Sequence, residues 1–220
     1  ILKTNALCKQ FKGQMAVNKV SLNIPRNSVY GLLGPNGAGK STTLKMLTGI
    51  LKPTSGMVTL NGRPWNRKAL NEIGALIEMP PLYENLTARE NLKVRTTLLG
   101  LPDNRMDEVL EVVRLTDTGK KRVGQFSLGM KQRLGIAIAL LNNPKLLILD
   151  EPFVGLDPQA AFELKKIMKE CVSEGGAIFF STHVTDVAEK LCNKIAVIKN
   201  GKIICSGDTN EVKGNQSLES

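Results

Sequence analysis

Lys40 and Ser41 close the stretch Gly34-Pro35-Asn36-Gly37-Ala38-Gly39-Lys40-Ser41, which fits the phosphate-cradling pattern G-x-x-x-x-G-K-[ST]. Glycines let backbone N–H groups turn inward and approach phosphate oxygens closely. Lys40 then offers a cation to the β- and γ-phosphates, and the Ser41 hydroxyl a ligand for Mg²⁺. Further on, Asp150 and Glu151 follow the apolar run Leu146–Leu149, and His183, the chain's one histidine, follows the apolar run 177–180 and Ser181-Thr182. Polar residues at three strand ends suit phosphoryl transfer to water. Asp150 has the place of the acid that holds Mg²⁺, Glu151 is set to polarise the attacking water, and His183 to sense the γ-phosphate. Taken alone, His183 reads better as a satisfied structural histidine.

These residues need elements to hold them. Val29–Leu33 reads as a buried parallel strand, and 41–48 as a helix stopped by Gly49, so the order is strand, glycine loop, helix. A chance glycine-rich turn lacks that context. Further strands are expected at 57–60, 73–77, 146–149 and 177–180, and a hairpin around Asn200-Gly201. Residues 1–30 read as short strands with turns. Three helices follow one another: one opened by the capping box Thr87-Ala88-Arg89-Glu90, one over 104–115, and one capped by Ser127 and ended at Asn142-Asn143-Pro144. They mark a helical lobe, roughly 80–143, inserted between strands. Asp157 and Pro158 open a helix to about 173, another runs through Cys192, and the polar tail from Asp208 is expected to fray.

The 220 residues are enough for one large domain or two small ones. The longest wholly apolar run, 136–141, is too short to span a bilayer. No signal-peptide pattern opens the chain, and a start at Ile1 leads us to expect a trimmed N-terminus. Cys8, Cys171, Cys192 and Cys205 are scattered without a C-x-x-C pair, and are expected as buried, reduced thiols of a cytosolic protein. The net charge of +10 is unevenly placed: residues 1–71 hold 11 Lys or Arg and no acid, and the first carboxylate is Glu72. That excess suits a polyphosphate, anionic lipid or nucleic acid, and equally a solvated lysine-rich face.

Ser127-Leu128-Gly129-Met130-Lys131-Gln132 resembles the signature segment that ABC ATPases place just before the second acidic strand, departing from its commonest form at Leu128 and Met130. With Gly34 to Ser41, Asp150, Glu151, the Gly155-Leu156-Asp157 turn and His183, the chain resembles the ATP-binding subunit of an ABC transporter over nearly its whole length. The fold this implies is one α/β domain over 1–220: a phosphate-loop NTPase core with a parallel sheet, an antiparallel β subdomain and an inserted helical subdomain. The cofactors implied are ATP and Mg²⁺. The resemblance implies that Gly34, Pro35, Asn36, Gly37, Ala38, Gly39, Lys40, Ser41 and Thr42 bind the nucleotide. It also implies that Phe11 stacks on adenine, although context alone favours a core phenylalanine. Ser127 and Gly129 are implied to bind the γ-phosphate of ATP held by a partner subunit, in an ATP-bound homodimer or a pair of ATPase subunits. The further implied partner is a transmembrane permease, which would hold the chain at the cytoplasmic side of the membrane; nucleic acid is not an expected partner.

Where the family usually has glutamine, this chain has Glu78, in Ile77-Glu78-Met79-Pro80. That variant is similar to exporters giving immunity to lantibiotics and resistance to bacitracin-like peptides. Glu78 is expected at a hinge between the sheet and the helical lobe, where a carboxylate can approach the metal together with Ser41 and Asp150. The competing expectation is a soluble ABC-type ATPase acting on nucleic acid or ribosomes, which the basic first third fits. Such proteins usually resemble tandem cassettes or carry a long coiled-coil insert, and 220 residues hold one cassette. A module that binds ATP without turnover is a third class, and Glu151 argues against it.

Overall fold

Five parallel strands and one antiparallel edge strand carry the motif residues. The computed structural model describes residues 1–213. The chain runs β1 (Leu2–Phe11), β2 (Gln14–Val20), β3 (Asn23–Ile24), β4 (Val29–Leu33), α1 (Lys40–Leu47), β5 (Ser55–Leu60), β6 (Arg63–Pro64) and β7 (Ile73–Leu76). It continues with α2 (Ala88–Leu99), α3 (Asn104–Val112), α4 (Leu128–Leu140), β8 (Leu146–Leu149), α5 (Pro158–Ser173), β9 (Ala177–Thr182), α6 (Thr185–Leu191), β10 (Lys194–Lys199), β11 (Lys202–Asp208) and α7 (Thr209–Lys213). One sheet has the order β11-β10-β4-β9-β8-β7, parallel except for the β10–β11 hairpin. The other is antiparallel, with β2, β1, β5 and β6 in line and β3 paired to β1.

The parallel strands are apolar throughout because both of their faces are covered. Successive side chains alternate between two cores. Val29 and Leu33 of β4, Leu147 and Leu149 of β8, and Ile178 and Phe180 of β9 face a core shared with Leu92 of α2, Met106 of α3, Leu134 of α4 and Leu164 of α5. Tyr30, Leu32, Leu146, Ile148 and Phe179 face the other core, with Leu44 and Leu47 of α1 and Leu2, Leu7 and Val20 of the antiparallel sheet. Gly74 of β7 shows how tightly the helical lobe is seated. A Cβ there would fall 2.3 Å from the carbonyl oxygen of Ala139 on α4, so only glycine lets α4 lie on that strand.

The helical lobe is inserted between β7 and β8, as the sequence predicts. Three local expectations are corrected. Residues 1–30 do not start with short strands: β1 is ten residues long, running on through a register irregularity around Ala6, whose φ is 46°. Past Asp208 the chain does not fray at once but forms α7, held by the Thr209 amide and hydroxyl donating to Asn193 and Cys192 carbonyls; the tail beyond 213 lies outside the described residues. The thiols are not all buried: Cys8 and Cys192 are, Cys171 is half-buried and Cys205 on β11 is exposed. Burial pushes the Cys171 thiol up to about 11 and the Cys192 thiol to about 12.

Candidate functional site

β4, β8 and β9 are neighbours in the sheet, so their carboxyl ends bring three distant segments to one edge. The glycine loop leaves β4, Asp150 and Glu151 leave β8, and His183 leaves β9. Gly37 and Gly39 take φ values of 79° and 104°, the left-handed region that a Cβ disfavours. Gly39 also has no room for one, since a Cβ would lie 2.6 Å from the Ala16 carbonyl oxygen on β2. The loop is braced from behind by the β10–β11 hairpin: the Gly201 amide donates to the Ala38 carbonyl at 2.9 Å, and the Asn18 amide of β2 donates to the Gly201 carbonyl at 2.8 Å.

Lys40 is 5% exposed. Its Nζ donates to the carbonyls of Gly34 at 2.7 Å and Pro35 at 3.1 Å, and pairs with Oε1 of Glu151 at 3.0 Å. The other oxygen, Oε2, lies 3.0 Å from Nδ1 of His183, so a proton on that nitrogen is donated to the carboxylate. Glu151 therefore bridges the lysine and the histidine, from a backbone with φ of 45°, a conformation rarely held without cause. Lys40, Ser41, Thr42, Asn36 and Glu151 line one cavity of about 190 Å³, to which Ala16 of β2 also contributes.

Behind the cavity stands Asp150, buried, its Oδ1 accepting from the Ser181 hydroxyl at 2.5 Å. That same hydroxyl accepts from the Glu151 amide at 2.9 Å. The second carboxylate oxygen of Asp150 has no protein donor among the described residues. Asp150 does not line the cavity, but its buried carboxylate, next to Glu151 in the chain, and the Ser41 hydroxyl in the cavity wall are the hard oxygen donors that Mg²⁺ takes, and the residues present fit that ion.

Phe11, Ser127, Gly129 and Glu78 do not line this cavity. Phe11 closes β1 with its ring 43% exposed and the Lys9 ammonium 5.0 Å from its centroid, so it is no core phenylalanine. Ser127 caps α4, accepting from the Met130 amide. Gly129 faces α5, where a Cβ would meet that of Ala160 at 2.6 Å. Glu78 follows β7 with φ of 61° and is exposed, its carboxylate held by Lys45 of α1 at 2.5 Å. Ala16, Gly201, Ser181 and Lys45 are contributions that motif reading misses. The only hint of Ser181 in the sequence is a hydroxyl at the polar end of an apolar strand.

A phosphate loop at the end of a central parallel strand, an acidic pair at the end of the next strand but one and an inserted helical lobe define an ATP-binding cassette of the phosphate-loop ATPases. The family model described as ABC transporter matches residues 17–154, and the chain belongs to that family. It is 48% identical over 219 residues to the lantibiotic transport ATP-binding protein SrtF of Streptococcus pyogenes, covering 100% of this chain and 94% of that protein. It is 44% identical over 209 residues to the bacitracin transport ATP-binding protein BcrA of Bacillus licheniformis, covering 93% of this chain and 68% of the relative. Among solved structures, a dimeric ATP-binding cassette in a post-hydrolysis state with ADP and Pi bound superposes with a TM-score of 0.84 at 25% identity, covering 95% of this chain and 99% of that one.

Proposed function

We propose that this chain is the ATP-hydrolysing subunit that powers a membrane exporter of antimicrobial peptides of the lantibiotic or bacitracin kind. The observation that carries the chemistry is the convergence of Lys40, Ser41 and Glu151 on one cavity, with Glu151 joined to both Lys40 and His183. The substrate class rests on the names of the relatives and on Glu78.

Phosphates entering the cradle of backbone amides compete with Glu151 for the Lys40 ammonium. Once Lys40 turns to the β- and γ-phosphates, Glu151 is released to take the proton of an attacking water, and His183 keeps that carboxylate aimed. Ser41 and Asp150 would hold Mg²⁺, which when bound supplies positive charge to the phosphates. Phe11 offers its face to adenine, in place of the Lys9 ammonium now near it. Ser127, exposed at the N-terminus of α4, and Gly129, buried two residues on, serve the γ-phosphate of a second subunit's ATP, which makes the active form a nucleotide-closed dimer seated on a transmembrane permease at the cytoplasmic side of the membrane. Among the described residues no helix is long and apolar enough to cross a membrane, so a permease is the expected anchor. A metal role for Glu78 requires that it first leave Lys45.

Cells carrying this chain together with its permease should survive a lantibiotic or bacitracin challenge, and Glu151→Gln should abolish that protection. Protection that persists in Glu151→Gln would overturn the reading.

A further inference from the structure

The antiparallel β subdomain carries charge unlike the rest of the molecule. Of the 11 cations in residues 1–71, Lys40 and Lys45 reach out to Glu151 and Glu78. The others form no ion pair among the described residues, and residues 1–71 hold no carboxylate, whereas the rest of the chain balances its 19 cations with 20 acids. A cation without a carboxylate neighbour keeps its attraction for an external anion.

At one place this charge meets exposed apolar surface. A groove of about 420 Å³ opens between the end of α1 and strands β5 and β6, lined by Leu51, Lys52, Pro53, Met57, Pro64 and Trp65 among others. Met57 is 54% exposed, and Ile50, next to Leu51 in the chain, 59%. The Lys9 ammonium donates to the Lys52 carbonyl at 2.7 Å, which gathers two lysines at the rim. Arg63 precedes Pro64, Arg67 and Lys68 follow Trp65, and all three are exposed. The indole N–H of Trp65 is enclosed and has no acceptor, a donor in want of an oxygen.

An apolar trough with a tryptophan in its wall and cations around it complements one kind of molecule. Phosphate headgroups would meet the ammonium and guanidinium groups, and acyl chains would take Ile50 and Met57 out of water. The indole belongs at the boundary between the two. Nucleic acid would satisfy the charge and leave the aliphatic side chains wet. We propose that this face of the β subdomain docks directly on the anionic leaflet of a membrane, binding phospholipid without help from a permease. The inference goes beyond the exporter reading and requires neither nucleotide nor turnover, so each can fail without the other.

Trp65 is the only tryptophan of the chain and reports on its own groove. The purified protein is mixed with vesicles of phosphatidylglycerol and phosphatidylcholine in equal parts, and with vesicles of phosphatidylcholine alone. Expected are sedimentation with the anionic vesicles only, a blue shift of the Trp65 emission, quenching by brominated acyl chains, and weakening as salt is raised. Lys52→Gln with Arg63→Gln should lower the partition coefficient about thirty-fold and leave ATP hydrolysis unchanged, which also shows that the variant is folded. Met57→Ser should weaken quenching, and Lys199→Gln with Lys202→Gln on the distant hairpin should have little effect. The proposal falls if neutral vesicles bind equally well, if Trp65 emission stays fixed in pelleted protein, or if short duplex DNA strips the protein from the vesicles at physiological salt.

Discussion

The hydroxyl of Ser181 donates to Asp150 at 2.5 Å from a fully buried position on β9. Because it also accepts from the Glu151 amide, one oxygen atom sets the side chain of the first acid and the backbone of the second. Acting through the two acids, it is a positioning residue. Ser181→Ala should leave the KM for ATP near its parent value, lower kcat by about ten- to a hundred-fold and raise the Mg²⁺ concentration needed for half-maximal rate. Steady-state kinetics against ATP and against Mg²⁺ separate these effects. An unchanged Mg²⁺ requirement with lower thermal stability would reduce Ser181 to a packing role.

Glu151→Gln removes a carboxylate that pairs with Lys40 and His183. Hydrolysis should drop by about 10²- to 10⁴-fold, while ATP binding is kept or tightened because Lys40 no longer has a competing anion. The uncleaved nucleotide should hold two subunits together, so light scattering with ATP and Mg²⁺ should give the mass of a dimer. A strictly monomeric variant at high concentration would sink the two-subunit arrangement.

Lys45 on α1 grips Glu78, which leads from β7 into the helical lobe. If α1 shifts as phosphates settle in the loop before it, this pair would pass the shift to the lobe. Glu78→Ala should retain ATP binding and hydrolysis but lose protection of cells against the peptide. Glu78→Gln should keep much of both, since an amide oxygen still accepts from Lys45. The reversed pair Glu78→Lys with Lys45→Glu should restore coupling that each single reversal loses. Loss of ATP binding in Glu78→Ala would place Glu78 in the nucleotide site instead.

Exposed Cys205 should react readily with a thiol reagent near pH 8, and Cys205→Ser should remove the fast phase. Cys171 and Cys192 hold their protons up to about 11 and about 12 because burial disfavours the thiolate. From the ordinary thiol value near 9 upward the unfolded chain gives up these protons and the folded chain does not. Both thiols therefore favour unfolding increasingly as pH rises from about 9 through their folded values. Denaturation midpoints at pH 8 and pH 10 for Cys192→Ser and parent should show the parent losing more.

How far the sequence discloses this site depends on how local each contact is. Lys40, Ser41, Asp150, Glu151 and His183 are readable because phosphate chemistry requires those types at strand ends, and each strand announces itself as an apolar run. Ser181 is placed by the pairing of β8 beside β9, and its partner Asp150 lies 31 residues away. Lys45 looks like any exposed helix lysine until β7 is set beside α1. Ala16 and Gly201 carry no functional chemistry of their own; their backbones matter only once the two sheets meet. In β1, the irregularity at Ala6 breaks the alternation by which a strand is recognised. For Gly129, the phosphate role and the close approach to Ala160 ask for the same residue.

The bond from Gly201 to Ala38 has a consequence for the birth of the molecule. The loop is complete after Ser41, yet its rear support is the last hairpin of the chain, and β4 gains β10 as a neighbour only when 194–199 have been made. A nascent chain emerging N-terminus first would thus carry an unbraced nucleotide cradle from Ser41 until Gly201 has been made. A truncation that removes the hairpin should therefore cost nucleotide affinity even though every motif residue is still present.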